Sequence, residues 1–211
     1  MQLTHFGHAC VLVETDSTRL LIDPGVYSHG FEGLTDLDGI LVSHQHPDHL
    51  DIDRLTALVA ANPGATLVVD SGSAPVVSER GLSAQITQAG ETVTVGGARL
   101  DIVGGEHGVI HVDIPIVPNV GYVVDDGAFY HPGDSFSSPG HDIDVLALPT
   151  GAPWLKVSEA VDFFRAVSPR VAVPIHEAAL SMPDKIYGMF TALAPSGATV
   201  TVVPRAEPTT V

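Results

Sequence analysis

The stretch that most limits what this chain can fold into is His44-Gln45-His46-Pro47-Asp48-His49. Three histidines and an aspartate fall within six residues. They follow Gly39-Ile40-Leu41-Val42-Ser43, an apolar run of the kind a buried strand shows. They precede Leu50-Asp51-Ile52-Asp53-Arg54-Leu55, where a helical pattern opens: Ile52, Leu55, Leu58 and Val59 share one helix face. In an extended segment residues i and i+2 point the same way, so His44 and His46 can face one metal ion together. Asp48 continues that face and His49 breaks from it, which lets the last pair serve a second ion nearby. Imidazole suits zinc, iron, nickel or copper, and a carboxylate adds a harder oxygen ligand.

Composition narrows the setting of such a site. The chain has 211 residues, enough for one domain over 1–211 with a sizeable core. Its 25 acidic and 9 basic residues give a formal charge of −16. Nonspecific binding to nucleic acid or to an anionic membrane is disfavoured, because phosphate binding draws on Lys and Arg. The lone Cys10 allows no internal disulfide and fits a reducing compartment. The first residues lack the positive and apolar regions of a signal peptide, and no apolar run reaches bilayer length. A cytoplasmic protein acting on a small molecule is expected, with no nucleic-acid or membrane partner; a homo-oligomer is compatible with the sequence.

Along the chain, Ala9–Glu14 and Arg19–Ile22 read as strands around an Asp16-Ser17 turn. Residues 26–38 read as a polar, Gly-rich loop. Asn62-Pro63-Gly64 ends the first helix. Thr66–Val69 is a buried strand, and Ser73–Gly81 a short helix. Gly96-Gly97 and Asp125-Asp126-Gly127 each carry a hairpin signal between flanking strands. Asp144–Pro149 and Val171–His176 are further strands, with a helix between them that Ser158 is placed to cap. A helix over 184–194 and a strand over 198–203 complete the pattern. The tail from Pro204 is expected to fray. Both halves run strands, then a loop of metal-binding residue types, then a helix.

The motif His-x-His-x-Asp-His over residues 44–49 resembles the signature of the metallo-β-lactamase-fold hydrolases, and the resemblance extends over nearly the whole chain. It is closest to small single-domain members similar to the ascorbate-phosphate lactonase. The implied fold is α/β, a four-layer αβ/βα sandwich with two sheets inside and helices outside. The resemblance implies a first metal on His44, His46 and His107, a second on Asp48, His49 and His176, and a bridge at Asp134 in Gly133-Asp134-Ser135. His111 competes with His107 for the third position. Asp23, in Ile22-Asp23-Pro24, would support the ligands or simply make a turn. His8, in Gly7-His8, would face the substrate pocket or be structural. His131 is expected to be structural or to sit behind the ligands.

The cofactor implied is two divalent ions, with zinc the expected metal and manganese or iron also compatible. Two ions about 3.5–4 Å apart can share a hydroxide whose pKa is brought toward ~7, and can polarise the oxygen under attack. The implied activity is hydrolysis of a small ester, lactone or phosphoester, with Asp48 and Asp134 at the reacting centre. Trp154 and Lys156, in the loop after Pro149, would line the substrate pocket; otherwise they are a packing aromatic and a surface cation. Glu177-Ala178-Ala179 departs from the aromatic or amide residue that follows the last histidine in those relatives. Two other readings use the same residues. One is a metal-binding regulatory protein without turnover, against which the complete ligand set counts. The other is a di-iron redox protein, for which the chain has no electron-carrier domain.

Overall fold

The computed structural model describes residues 1–211. In chain order the elements are β1 (Gln2–Gly7), β2 (Cys10–Glu14), β3 (Arg19–Ile22), β4 (Gly39–Val42), α1 (Ile52–Ala61), β5 (Thr66–Asp70), α2 (Ser73–Glu79), β6 (Gln85–Thr87), β7 (Thr92–Val95), β8 (Ala98–Glu106), β9 (Pro118–Val124), β10 (Phe129–His131), β11 (Val145–Pro149), α3 (Val157–Val167), β12 (Val171–Ile175), α4 (Pro183–Leu193), β13 (Thr199–Val200) and β14 (Thr209–Thr210). They build two seven-stranded sheets, ordered β14-β1-β2-β3-β4-β5-β6 and β13-β12-β11-β10-β9-β8-β7. In the first, the pairs from β14 to β3 are antiparallel and those from β3 to β6 parallel. In the second, the pairs from β7 to β10 are antiparallel and those from β10 to β13 parallel. The echo between the two halves of the sequence is thus a repeated sheet pattern.

Strand alternation explains the layers. On β2, Val11 and Val13 face the other sheet while Cys10 and Leu12 face helices. On β11, Val145 and Ala147 face the other sheet while Leu146 and Leu148 face helices. Strands buried on both faces read as continuous apolar runs, which is why β4, β5, β11 and β12 were visible in the sequence. Leu55 and Leu58 of α1 and Val77 of α2 cover the first sheet; Val161 and Phe164 of α3 and Phe190 of α4 cover the second. The result is helix, sheet, sheet, helix. No helix is long and apolar enough to cross a membrane.

Both hairpin signals fold as read. Gly96 takes φ +58 in the two-residue turn that pairs Val95 with Ala98. Asp125-Asp126-Gly127 forms a 3-10 turn with positive φ at all three residues. Three expectations are corrected. Ser158 does not cap α3: the cap lies two residues earlier, at Lys156, with no side-chain cap bond. Its start follows the packing of Trp154 and Leu155 against the core, not a hydroxyl. The strand expected over 198–203 stops at Val200, because the chain turns away: Val203 enters the layer between the sheets and Pro204 has no N–H to donate. The tail does not fray. Ala206 N–H donates to His5 O at 2.9 Å, and Gln2 and Leu3 pair with Thr210 and Thr209.

Candidate metal centre

Each candidate side chain follows the C-terminal end of a strand: His8 after β1, His44 to His49 after β4, His107 after β8, Asp134 after β10, and His176 after β12. Two histidine groups result. The ring nitrogens of His44, His46 and His107 come within 4.8 Å of one another. So do the nearest donor atoms of His8, Asp48, His49 and His176. Asp134 stands between the groups. Its Oδ1 lies 3.1 Å from His49 Nε2 and 3.1 Å from His176 Nε2, and its Oδ2 lies 3.3 Å from His107 Nε2. The seven residues singled out in the sequence therefore converge. His111 does not; it is exposed and its ring faces Asp113 at 3.5 Å.

The backbone explains how Asp134 gets there. Gly133 takes φ +61, and a Cβ on it would fall 2.3 Å from Asn119 Oδ1. Glycine fits because it has no Cβ and tolerates positive φ. Asn119 Oδ1 accepts the Asp134 N–H at 2.9 Å, and Asn119 Nδ2 donates to Pro132 O at 3.0 Å. His131 behaves as expected of a structural histidine: Nε2–H donates to Ala9 O at 2.9 Å and Nδ1 accepts the Gly133 N–H at 3.2 Å.

Hydrogen-bond partners assign the imidazole tautomers. His49 Nδ1–H donates to Asp23 Oδ2 at 2.7 Å. His44 Nδ1–H donates to Ser43 Oγ at 3.0 Å, and that hydroxyl donates to Asp23 Oδ2 at 2.7 Å. His107 Nδ1–H donates to Gly108 O at 2.6 Å, and His176 Nδ1–H to Gly151 O at 2.7 Å. All four rings thus turn Nε2 inward. The Nε2 atoms of His49, His107 and His176 and the Oδ1 of Asp134 are buried without a hydrogen-bond partner. Neutral imidazole lone pairs facing a carboxylate oxygen repel it unless a cation lies among them. Buried polar atoms need partners, and this donor set of nitrogen and oxygen suits a divalent transition metal. The residues present fit the group.

Without a cation the same atoms compete for protons. Burial opposes a charge on His49, yet the Asp134 and Asp23 carboxylates outweigh it and hold its pKa well above the ordinary value. His176 is raised the same way, with Asp134 outweighing burial. His44 is driven well below its ordinary value by burial and then by the charge of His49. Burial works against the Asp48 carboxylate, but the His8 hydrogen bond and His49 lower its pKa. Asp134 is lowered strongly as well, the charges of His49 and His176 overcoming burial.

Asp23 is fully buried and supports two of the histidines, one directly and one through Ser43. Ser43 and Asn119 were not singled out in the sequence; a polar residue beside a motif residue, or alone on a strand, carries no distinguishing spacing. His8 lies deeper than a pocket wall. Its Nε2–H donates to Asp48 Oδ2 at 3.0 Å, and its Nδ1 accepts the Ala178 N–H at 3.4 Å. Trp154 is mostly buried, with its indole nitrogen on Asp134 and an edge on the cleft. Lys156 stands 77% exposed, 3.3 Å from Glu159 Oε1. Cys10 is fully buried, and burial raises its thiol well above the ordinary value, so no reactive thiolate is on offer.

The comparisons with known proteins agree with this architecture. The Beta-lactamase superfamily domain matches residues 2–176. Protein Rv0786c of Mycobacterium tuberculosis is 48% identical over 198 residues, covering 90% of this chain and 92% of its own. A UPF0173 metal-dependent hydrolase of Opitutus terrae is 31% identical over 194 residues, covering 83% and 84%. The solved metallo-β-lactamase fold protein YhfI from Bacillus subtilis superposes with a TM-score of 0.73 at 16% identity, covering 98% of this chain and 97% of its own. The chain belongs to the β-lactamase superfamily and has the metallo-β-lactamase fold.

Proposed function

We propose that this protein is a metal-dependent hydrolase that uses two divalent ions, zinc in the first place, to cleave a small ester, lactone or phosphoester. The observation that carries the reading is the inward convergence of orphaned imidazole nitrogens on the Asp134 carboxylate. His44, His46 and His107 would hold one ion, Asp48, His49 and His176 the other, and Asp134 both. When bound, such ions supply Lewis acidity and lower the pKa of water so that it attacks near neutral pH. Asp23 and the carbonyls of Gly108 and Gly151 fix the ring orientations, which raises ligand basicity and preorganises the centre. His8 holds Asp48 by its Nε2–H. The 31% identical relative described as a metal-dependent hydrolase supports the same reading.

The cleft over His107 orders the substrate classes. It encloses about 750 Å³, a volume suited to a small molecule. Trp154, Phe136 and Val109 supply its apolar surface. Glu106 and Glu159 face it, and the one cation, Lys156, is paired with Glu159. Apart from the ions themselves, the lining gives a doubly charged phosphate no further cation to bind, so neutral esters and lactones rank ahead of phosphoesters. The experiment is metal-loaded protein assayed on a panel of neutral esters, lactones, phosphomonoesters and phosphodiesters. Hydrolysis of a neutral ester or lactone, abolished by a chelator and restored by zinc, is expected. Two bound ions with no turnover on any class would favour a metal-binding regulatory protein instead.

A further inference from the structure

Just beyond the family match, which ends at residue 176, Glu177 turns its carboxylate inward and is 7% exposed. Its Oε1 accepts the His8 backbone N–H at 3.0 Å and a short ion-paired bond from the Arg205 guanidinium. Its Oε2 is buried without a hydrogen bond, 3.8 Å from His5 Nε2. Arg205 is therefore the full cation that offsets this buried charge. It arrives on the segment expected to fray, held in place by Ala206 on His5 and by β14 on β1. The guanidinium lies so close to Gly7 that a Cβ there would fall 1.7 Å from Arg205 Nη1, and Gly7 takes φ +97. A glycine at 7 is thus matched to an arginine at 205.

What this pair holds is the His8 peptide. His8 takes φ +52 and His176 φ +63, left-handed values that non-glycine residues adopt only when their surroundings impose them. The His8 N–H is fixed by Glu177, and its carbonyl accepts from His176 N–H at 2.7 Å and from His5 Nε2–H at 2.9 Å. From that locked backbone the imidazole reaches Asp48. Asp48 and His176 are both proposed ligands of the second ion. None of these bonds reaches His44, His46 or His107.

We infer that Arg205 and Glu177 are positioning residues for the second metal: through the His8 backbone they set Asp48 and His176 at once. The inference rests on the two-metal reading given above. It is tested by titrating zinc into metal-free wild type, Arg205→Ala, Glu177→Ala and Arg205→Lys, resolving the first and second equivalents, with the melting temperature of each metal-free chain measured alongside. Both alanine variants should bind the second equivalent about 10–100-fold more weakly, the range for residues that orient metal ligands. The first equivalent should keep its affinity, and Arg205→Lys should recover part of the loss. Unchanged binding of the second equivalent would overturn the inference. So would equal weakening of both equivalents with a lower metal-free melting temperature, the mark of a general packing role. A wild-type chain that binds no second equivalent would overturn the two-metal reading, and this inference with it.

Discussion

The indole N–H of Trp154 donates to Asp134 Oδ2 at 2.8 Å, and that same oxygen stands 3.3 Å from His107 Nε2. The tryptophan therefore bonds to the carboxylate that links the two histidine groups. A hydrogen bond to a charged group contributes about 1.5–3 kcal/mol. Trp154→Phe keeps a ring against Phe136 and removes the donor. The carboxylate should then lose its fixed rotamer. We expect weaker metal binding and a fall in kcat of about tenfold or more, with little change in melting temperature of the metal-free chain. Wild-type metal affinity in Trp154→Phe would show that the bond is incidental.

Asp134→Asn tests the bridge. Asparagine is nearly isosteric, but it is neutral and offers a donor nitrogen where the acid offers a second oxygen. The second metal should be lost more readily than the first, because His44, His46 and His107 remain. Hydrolysis should fall strongly while the fold persists, since no apolar packing changes. Metal stoichiometry, turnover and thermal melting of the variant decide it. Two retained ions with near-normal turnover would reduce Asp134 to a turn residue.

Lys156 gives the opposite expectation. At 77% exposure, with Glu159 beside it, its charge is largely screened. Lys156→Ala should shift KM for neutral substrates by at most about fivefold, the equivalent of ~1 kcal/mol. A loss of a hundredfold or more would mean that the side chain swings over the cleft to grip substrate.

Asp51 ties the metal loop to the scaffold. It caps α1 by accepting from Asp53 N–H and Arg54 N–H, and its carboxylate receives Arg54 Nε–H at 2.6 Å. Arg54 in turn donates to the carbonyls of Gly25 and Ser28. Loss of an N-cap costs about 0.5–2 kcal/mol. Asp51→Ala should lower the melting temperature by roughly 1–8 °C for a chain of this size, while metal stoichiometry is retained. Denaturation with and without metal separates these readouts, and an unchanged melting temperature would show the cap to be dispensable.

The convergence of the proposed ligands was legible because their positions obey local rules. His44 and His46 were read together from their two-residue spacing, and the structure does bring their rings together, although both lie in the loop after β4; His107, Asp134 and His176 sit where apolar runs stop beside glycine or at a strand end. The sandwich was legible for the same reason: buried parallel strands leave continuous runs of Val, Ile and Leu. The illegible parts depend on distant partners. His8 points at Asp48 because His176 and Glu177 fix its peptide and the Ala178 N–H holds its ring, and nothing within the first ten residues encodes that. Trp154 carries its nitrogen to Asp134 across a turn. The two-residue strand β14 exists because β1 offers it an edge. Ser158 looked like a cap because its type suits one, but packing of the preceding residues set the helix start.

The pairing of β14 with β1 joins residues about two hundred positions apart. During synthesis, at about 5–20 residues per second, the outer edge of β1 stays open for on the order of ten seconds or more before Thr209 and Thr210 are made. Arg205 arrives in the same late interval. A nascent chain can thus pair β1 through β6, and bring His44, His46 and His107 together, while Glu177 still lacks its cation. On this ordering, the His44 group can form before Arg205 is made, whereas the His8 side of the proposed centre is fixed only when the segment carrying Arg205 and β14 reaches β1.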